Sequence, residues 1–260
     1  MKMEADVVIV GTGVGGLFSA LSLPRDQKII MITKSDLESS DSFLAQGGIC
    51  MLHDKDDYDS YFEDTMKAGH YENDAYSVEL MIKSSPDVIQ DLISYGVDFE
   101  RNEDGSLAFT REGAHSRPRI LFHEDVTGKE ITSKLLACVQ KISNVELLTQ
   151  TTMIDILEEK NQCYGIVARR ADKTLFAVTA RAVVWACGGI GGLYEHSTNF
   201  PHLTGDALAI ALKHGIELEH PDYVQIHPTT LYSPKPGRRF LISESVRGEG
   251  AKLYNAKMER

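Results

Sequence analysis

The chain has 260 residues, of which 42% are hydrophobic and 25% charged, the balance of a globular protein with one large domain or one domain and part of another. With 38 acids against 27 Lys and Arg, the net charge of −11 argues against nucleic acid or an anionic membrane as partner, since both need a basic surface. The four cysteines, Cys50, Cys138, Cys163 and Cys187, form no C-x-x-C pair; reduced thiols in a cytoplasmic protein are expected, with no metal ligation.

Residues 5–33 read as β-α-β: an apolar strand over 5–10, a helix over 14–23 stopped by Pro24, and a second apolar strand over 28–33. Uniformly apolar strands suit a parallel sheet covered on both faces. Between the first strand and the helix, Gly11, Gly13 and Gly16 match G-x-G-x-x-G. The first glycine allows a tight turn, the second lets main chain approach a pyrophosphate, and the third brings helix and strand together. The helix N-terminus then points free N–H groups at the anion. Residues 7–23 carry no charge, and Gly11 and Gly15 also fit G-x-x-x-G, so a membrane segment competes with this reading. Glu4 and Asp6 in front of it, the run of glycines and its shortness all oppose that alternative.

Dinucleotide folds commonly place an acid on the ribose about 20 residues after the glycines. Here that place reads Thr33-Lys34, with Asp36 and Glu38 further on, which weakens a standard NAD-type reading. Residues 57–95 show a helical rhythm, with Ser85-Pro86-Asp87 expected to restart a helix with proline at its first position. Residues 98–119 read as a loop or short hairpin. Thr127-Gly128-Lys129-Glu130 reads as a capping box ahead of a helix. Four short strands, 145–149, 153–157, 164–169 and 175–178, read as an antiparallel meander inserted in the α/β domain. A buried strand over 182–186 leads into Cys187-Gly188-Gly189, and Gly205-Asp206 opens an amphipathic helix. Beyond residue 219 the pattern is turn-rich, and no closing element precedes Arg260, so a truncated gene fragment is expected.

Taken in order, the glycine turn, Ala45-Gln46-Gly47-Gly48, Cys187-Gly188-Gly189, Thr204-Gly205-Asp206, His227-Pro228-Thr229 and Arg247-Gly248-Glu249-Gly250 resemble the succinate dehydrogenase/fumarate reductase flavoprotein superfamily. Within it the chain is most similar to the L-aspartate oxidases. The resemblance implies an α/β fold: a Rossmann-like FAD-binding domain over 1–219, a parallel sheet with helices and an inserted meander, then the beginning of a substrate-capping domain over 220–260. It implies that Gly11, Thr12, Gly13, Val14, Gly15 and Gly16 carry the FAD pyrophosphate. Lys34 and the run Ser42, Phe43, Leu44, Ala45, Gln46, Gly47 and Gly48 would line the ribose and flavin, and Asp206 would also contact FAD. Asp41 stands four residues before Ala45, where succinate dehydrogenases carry the histidine that binds flavin covalently, so FAD is expected to be non-covalent.

Glu112 stands where the family's dicarboxylate reductases have an aromatic residue, and the resemblance implies that it receives the ammonium of aspartate. The physics agrees: a buried anion repels succinate, and the cation of aspartate reverses that sign. His227, Ser243 and Glu244 match dicarboxylate-binding positions, with Arg247 close by. The implied reaction is oxidation of L-aspartate to iminoaspartate with oxygen or fumarate as final acceptor, the first step of NAD biosynthesis, with quinolinate synthase as partner. Family members continue past residue 260 with a catalytic arginine, so a fragment ending there is expected to lack full activity. The alternatives are a fumarate reductase or succinate dehydrogenase flavoprotein subunit and a non-catalytic FAD-binding module. Without the resemblance, His227 reads equally as a hydrogen-bonded loop residue, and Ser243-Glu244 as a helix cap.

Overall fold

Two strands made wholly of apolar residues organise the chain. The computed structural model describes residues 2–227, 229–243, 246 and 250–260. Its strands are β1 (Lys2–Glu4), β2 (Val7–Val10), β3 (Ile29–Ile32), β4 (Ile49–Cys50), β5 (Ile120–Leu121), β6 (Val145–Leu148), β7 (Thr151–Glu159), β8 (Gln162–Arg170), β9 (Leu175–Thr179) and β10 (Ala182–Trp185). Its α-helices are α1 (Val14–Ser22), α2 (Asp41–Leu44), α3 (Tyr58–Ala68), α4 (Ala75–Ser94), α5 (Thr127–Val139) and α6 (Asp206–Lys213). The chain divides into two units, Met1–Phe43 with Thr132–Leu241, and Leu44–Ile131 with Ile242–Arg260.

In the first unit β2 and β3 are the inner strands of a parallel sheet ordered β10-β2-β3-β6. Every residue of both strands is buried, as a parallel sheet covered on two faces requires. On one face, Val8, Val10, Ile30 and Ile32 pack against Met153, Ile156, Ile166, Phe176 and Val178 of a second sheet. Burying each such side chain contributes about 1.5–3 kcal/mol. On the other face, Gly16 of α1 comes so close that a Cβ there would lie 3.3 Å from Ile9. The stretch 7–23 is therefore strand, turn and a nine-residue helix. Among the described residues no helix is long and apolar enough to cross a membrane.

The second sheet is the expected meander, with two corrections. Strands β7, β8 and β9 are antiparallel neighbours. The segment at 145–148 is not the meander's first strand; as β6 it lies parallel to β3. A short apolar strand reads the same in either sheet, and only the tertiary register, Ile29 opposite Val145, separates them. The meander instead gains β1, which the sequence left unassigned and which runs parallel to β9.

The second unit holds α3, α4 and the two-stranded β4–β5, with Tyr61, Val78 and Ile82 at the centre of its apolar cluster. Pro86 does not restart a helix: α4 runs unbroken from Ala75 to Ser94. Proline has no N–H for the Ile82 carbonyl four residues back. Ser85 Oγ donates to that carbonyl at 2.7 Å and also accepts the Leu52 N–H at 2.9 Å. The true start is Asp74, whose side chain caps the Ser77 N–H. The helix expected after Thr127 is present, but Thr127 is its first helical residue rather than its cap. Thr127 Oγ1 accepts from the His123 N–H, and Glu130 accepts from the Asp98 N–H.

Candidate functional site

A cavity of about 320 Å³ opens in the first unit where β2, β3 and β10 end, lined there by Val10, Ile32 and Ala186. The carboxyl edge of a parallel sheet is where open α/β folds bind ligands. Gly11 makes the turn with φ +114°, and a Cβ there would lie 2.1 Å from the Ala186 carbonyl oxygen; no other residue fits. Gly13 is the N-cap of α1 and supplies no side-chain cap. Past Val14, the first turn, which holds Gly15 at the cavity wall, thus offers its N–H groups to an anion. Gly16 does not line the cavity; its absent Cβ would sit 2.1 Å from the Gly11 oxygen, so it serves helix–strand packing. Val14 is also off the wall, and its N–H donates to Ser42 Oγ at 3.1 Å. Thr12 is buried and donates to the Leu37 carbonyl.

Lys34 lines the same cavity, with Nζ 2.9 Å from Asp206 Oδ2 and 3.0 Å from Thr204 Oγ1. An acid thus reaches the end of β3 from the start of α6, whose cap Gly205 has φ +68°. Asp41 accepts the Phe200 N–H at 3.0 Å and pairs with the Asn199 amide. Burial raises its pKa, against the pull of those hydrogen bonds and of His202 and Arg238. Both its oxygens are engaged in pinning the 199–200 segment. Cys187 lines the cavity as a neutral thiol, pushed up to about 11 by burial and then by Asp206. Phe43 is not among the residues lining the cavity, and its N–H bonds back to the Ser40 carbonyl. Ser39, Ser40, Thr151, Met153, His202 and Leu203 complete the wall and were missed. Only Thr204-Gly205-Asp206, a turn ahead of an amphipathic helix, pointed towards that region.

In the second unit, Leu44 ends α2, the Ala45 carbonyl accepts the Gly128 N–H, and Gln46 Oε1 is buried without a hydrogen-bond partner. Gly48 donates its N–H to Glu112 Oε1 at 3.3 Å, so the segment 45–48 and Glu112 are brought together. Ser243 is buried and donates to Asp125 Oδ1 at 2.5 Å. His227, in the first unit, is half-buried and its Nδ1 accepts the Thr229 N–H at 3.2 Å. Glu244 and Arg247 lie outside the described residues.

No motif or spacing pointed to the buried ionic cluster around Arg119, a residue with 0% exposure. Its guanidinium bonds both oxygens of Asp57, at 3.0 and 2.7 Å, and Asp64 Oδ2 at 2.6 Å. Burial opposes ionisation of both acids, but hydrogen bonds from Arg119 with Ser60 or Ser116 outweigh it and hold both below the usual value. Burial likewise opposes the Arg119 charge, and the two acids more than restore it.

The glycine cradle and the N-terminal turn of α1 form a main-chain donor set suited to a phosphate-linked dinucleotide. A family described as "FAD binding domain" matches residues 6–260. The chain belongs to the FAD binding domain family. FAD is its cofactor, and the α/β architecture with a parallel sheet is that of this family's flavoproteins. Within the FAD binding domain family, the chain is 45% identical over 261 residues to the L-aspartate oxidase of Clostridium perfringens, covering 100% of this chain and 59% of that one. Against the L-aspartate oxidase of Clostridium acetobutylicum the identity is 44%, over 100% and 60% of the two chains. A solved E. coli quinol fumarate reductase matches with a TM-score of 0.92 and 30% identity, over 100% of this chain and 44% of that one. The chain thus spans about 60% of the length of the curated relatives it matches.

Proposed function

We propose that this chain is the FAD-binding portion of an L-aspartate oxidase, converting L-aspartate to iminoaspartate with oxygen or fumarate as final acceptor. The observation that carries the reading is Glu112, a carboxylate seated on the Gly48 main chain in a sequence 45% identical to an L-aspartate oxidase along its whole length. When bound, FAD supplies the acceptor for the hydride that leaves the substrate Cα.

The chain's own residues bind and orient. The first turn of α1 and the glycine turn receive the pyrophosphate through main-chain N–H groups. Lys34 and Asp206, paired across the cavity wall, face the polar ribose end. Glu112 receives the substrate ammonium, since a carboxylate there favours an amino dicarboxylate over one lacking the amine. Ser243 and His227 are hydrogen-bonding groups for substrate carboxylates, with Glu244 and Arg247 completing that set. Residues 220–260 belong to the opening of the substrate-capping domain. We also place the protein in the cytoplasm, upstream of quinolinate synthase, the enzyme that would consume iminoaspartate.

The test is anaerobic mixing of the FAD-loaded full-length gene product with L-aspartate while following flavin absorbance. Bleaching with L-aspartate and none with succinate is the expected result. Absence of bleaching with aspartate overturns the reading. The fold likeness to a fumarate reductase supports a second reading, succinate–fumarate chemistry, which bleaching by succinate alone would establish.

A further inference from the structure

Glu112 is held at two places. Its carboxylate sits on main chain: the Gly48 N–H donates to Oε1 at 3.3 Å, and the bare face of Gly47 lies beneath it. A Cβ at Gly47 would stand 3.3 Å from Oε1 and 3.4 Å from Oε2, close enough to press the carboxylate from its seat by a few tenths of an ångström. This seat is rigid because Gly48 leads directly into β4, where Ile49 and Cys50 pair with Leu121 and Ile120.

The loop bearing Glu112 is held separately. Ala114 has φ +66°, a left-handed conformation that costs a residue with a Cβ about 1–2 kcal/mol. Two residues later, the Ser116 N–H and Oγ both donate to Asp64 Oδ2 at 2.7 Å. The same oxygen accepts Arg119 Nη1 at 2.6 Å. Arg119 Nη1 also lies 3.1 Å from His115 Nδ1. A guanidinium can only donate, so Nδ1 is the acceptor and the ring presents Nε2 to Cys50 Sγ at 3.6 Å. Asp64 from α3, Cys50 from β4 and Arg119 beside β5 therefore close on residues 115–116.

We propose that Asp64, Ser116 and Gly47 are positioning residues for substrate selectivity, acting through Glu112 to hold a fixed anion for an amino dicarboxylate. The inference rests on Glu112 being the ammonium acceptor. Its physical basis is that repulsion discriminates only when the repelling group cannot retreat. A Glu112 on a loose loop swings away from a dicarboxylate that has no amine, and the penalty against it vanishes. A clamped Glu112 stays, and the penalty remains.

The test has two readouts on the FAD-loaded protein. The first is amide hydrogen exchange at Gly48, whose N–H the Glu112 carboxylate covers. Asp64→Ala, Ser116→Ala and Glu112→Ala are each expected to speed Gly48 exchange by about tenfold, the scale of one charge-assisted hydrogen bond. Combining Asp64→Ala with Glu112→Ala is expected to add nothing to Glu112→Ala alone, while exchange in β2 and β3 stays unchanged. The second is the ratio of aspartate to succinate affinity, read from perturbation of the flavin spectrum; Ser116→Ala is expected to lower it several-fold through tighter succinate binding, and Asp64→Asn to fall between it and wild type. Wild-type Gly48 exchange in the Asp64 and Ser116 variants overturns the clamp. Faster exchange with an unchanged affinity ratio overturns its role in selectivity. Should Asp64→Ala unfold the protein, the exposed Ser116 decides alone. Absence of aspartate turnover would strike the proposed reaction and leave the exchange result standing.

Discussion

The cavity at the end of the parallel sheet and the Arg119 cluster present hydrogen-bonding groups with opposite materials. The cavity is built from main chain and from side chains that are missing: Gly11 turns where a Cβ would meet the Ala186 oxygen, and Gly13 brings no side-chain cap of its own to α1. The cluster is built from long charged side chains that saturate one another, with Arg119 fully buried among Asp57, Asp64 and Ser60. The first leaves hydrogen-bonding capacity for a ligand. The second spends its capacity internally, and what it delivers is position.

The contrast breaks most sharply at Arg119. Arg119→Met leaves the buried Asp57 and the half-buried Asp64 without their cation and is expected to cost about 3–5 kcal/mol, measured by urea unfolding, while the cavity geometry stays intact. Gly11→Ala makes the complementary change: strain at φ +114° is expected to cost about 1–3 kcal/mol and to release FAD on gel filtration. If Arg119→Met were instead the variant that shed flavin with little loss of stability, the division of labour would be wrong.

Lowering pH separates the regions further. Asp57 and Asp64 have folded pKa values below 3.8. Their contribution is therefore full above the unfolded value and is lost as pH falls below about 3.8 through the folded values. Urea midpoints measured across that range are expected to fall more steeply for wild type than for Asp57→Asn. The smallest effect belongs to the Lys34–Asp206 pair, whose side chains are 25% and 30% exposed. A double-mutant cycle there is expected to give about 0.2–1 kcal/mol, diminishing with salt.

The two regions were also unequally legible in the sequence. Glycines that the backbone demands leave a local trace, and uniformly apolar β2 and β3 announce a parallel sheet, so the frame of the cavity could be read directly. Glu112 and the 45–48 segment were found only because their order resembled a family. Arg119 left no trace, because its partners come from residues 57, 60, 64 and 115 and meet it only in three dimensions. The misplacement of β6 has a related origin: a four-residue strand with three apolar residues does not say which sheet it joins. Pro86 misled because the rescue of the Ile82 carbonyl by Ser85 is a side-chain event that propensity does not register.

The order of strands in the parallel sheet sets a timetable for synthesis. Of the partners that flank β2 and β3, one is β10 at residues 182–185 and the other β6 at 145–148. When β2 and β3 leave the ribosome, both of their outer edges stay unpaired until more than a hundred further residues have been made. Such long-range closure is slow, and a hydrophobic edge left waiting is open to the wrong partner. The cavity wall ends later still, at Asp206, so the nascent chain has no completed cavity until about four-fifths of this sequence exists.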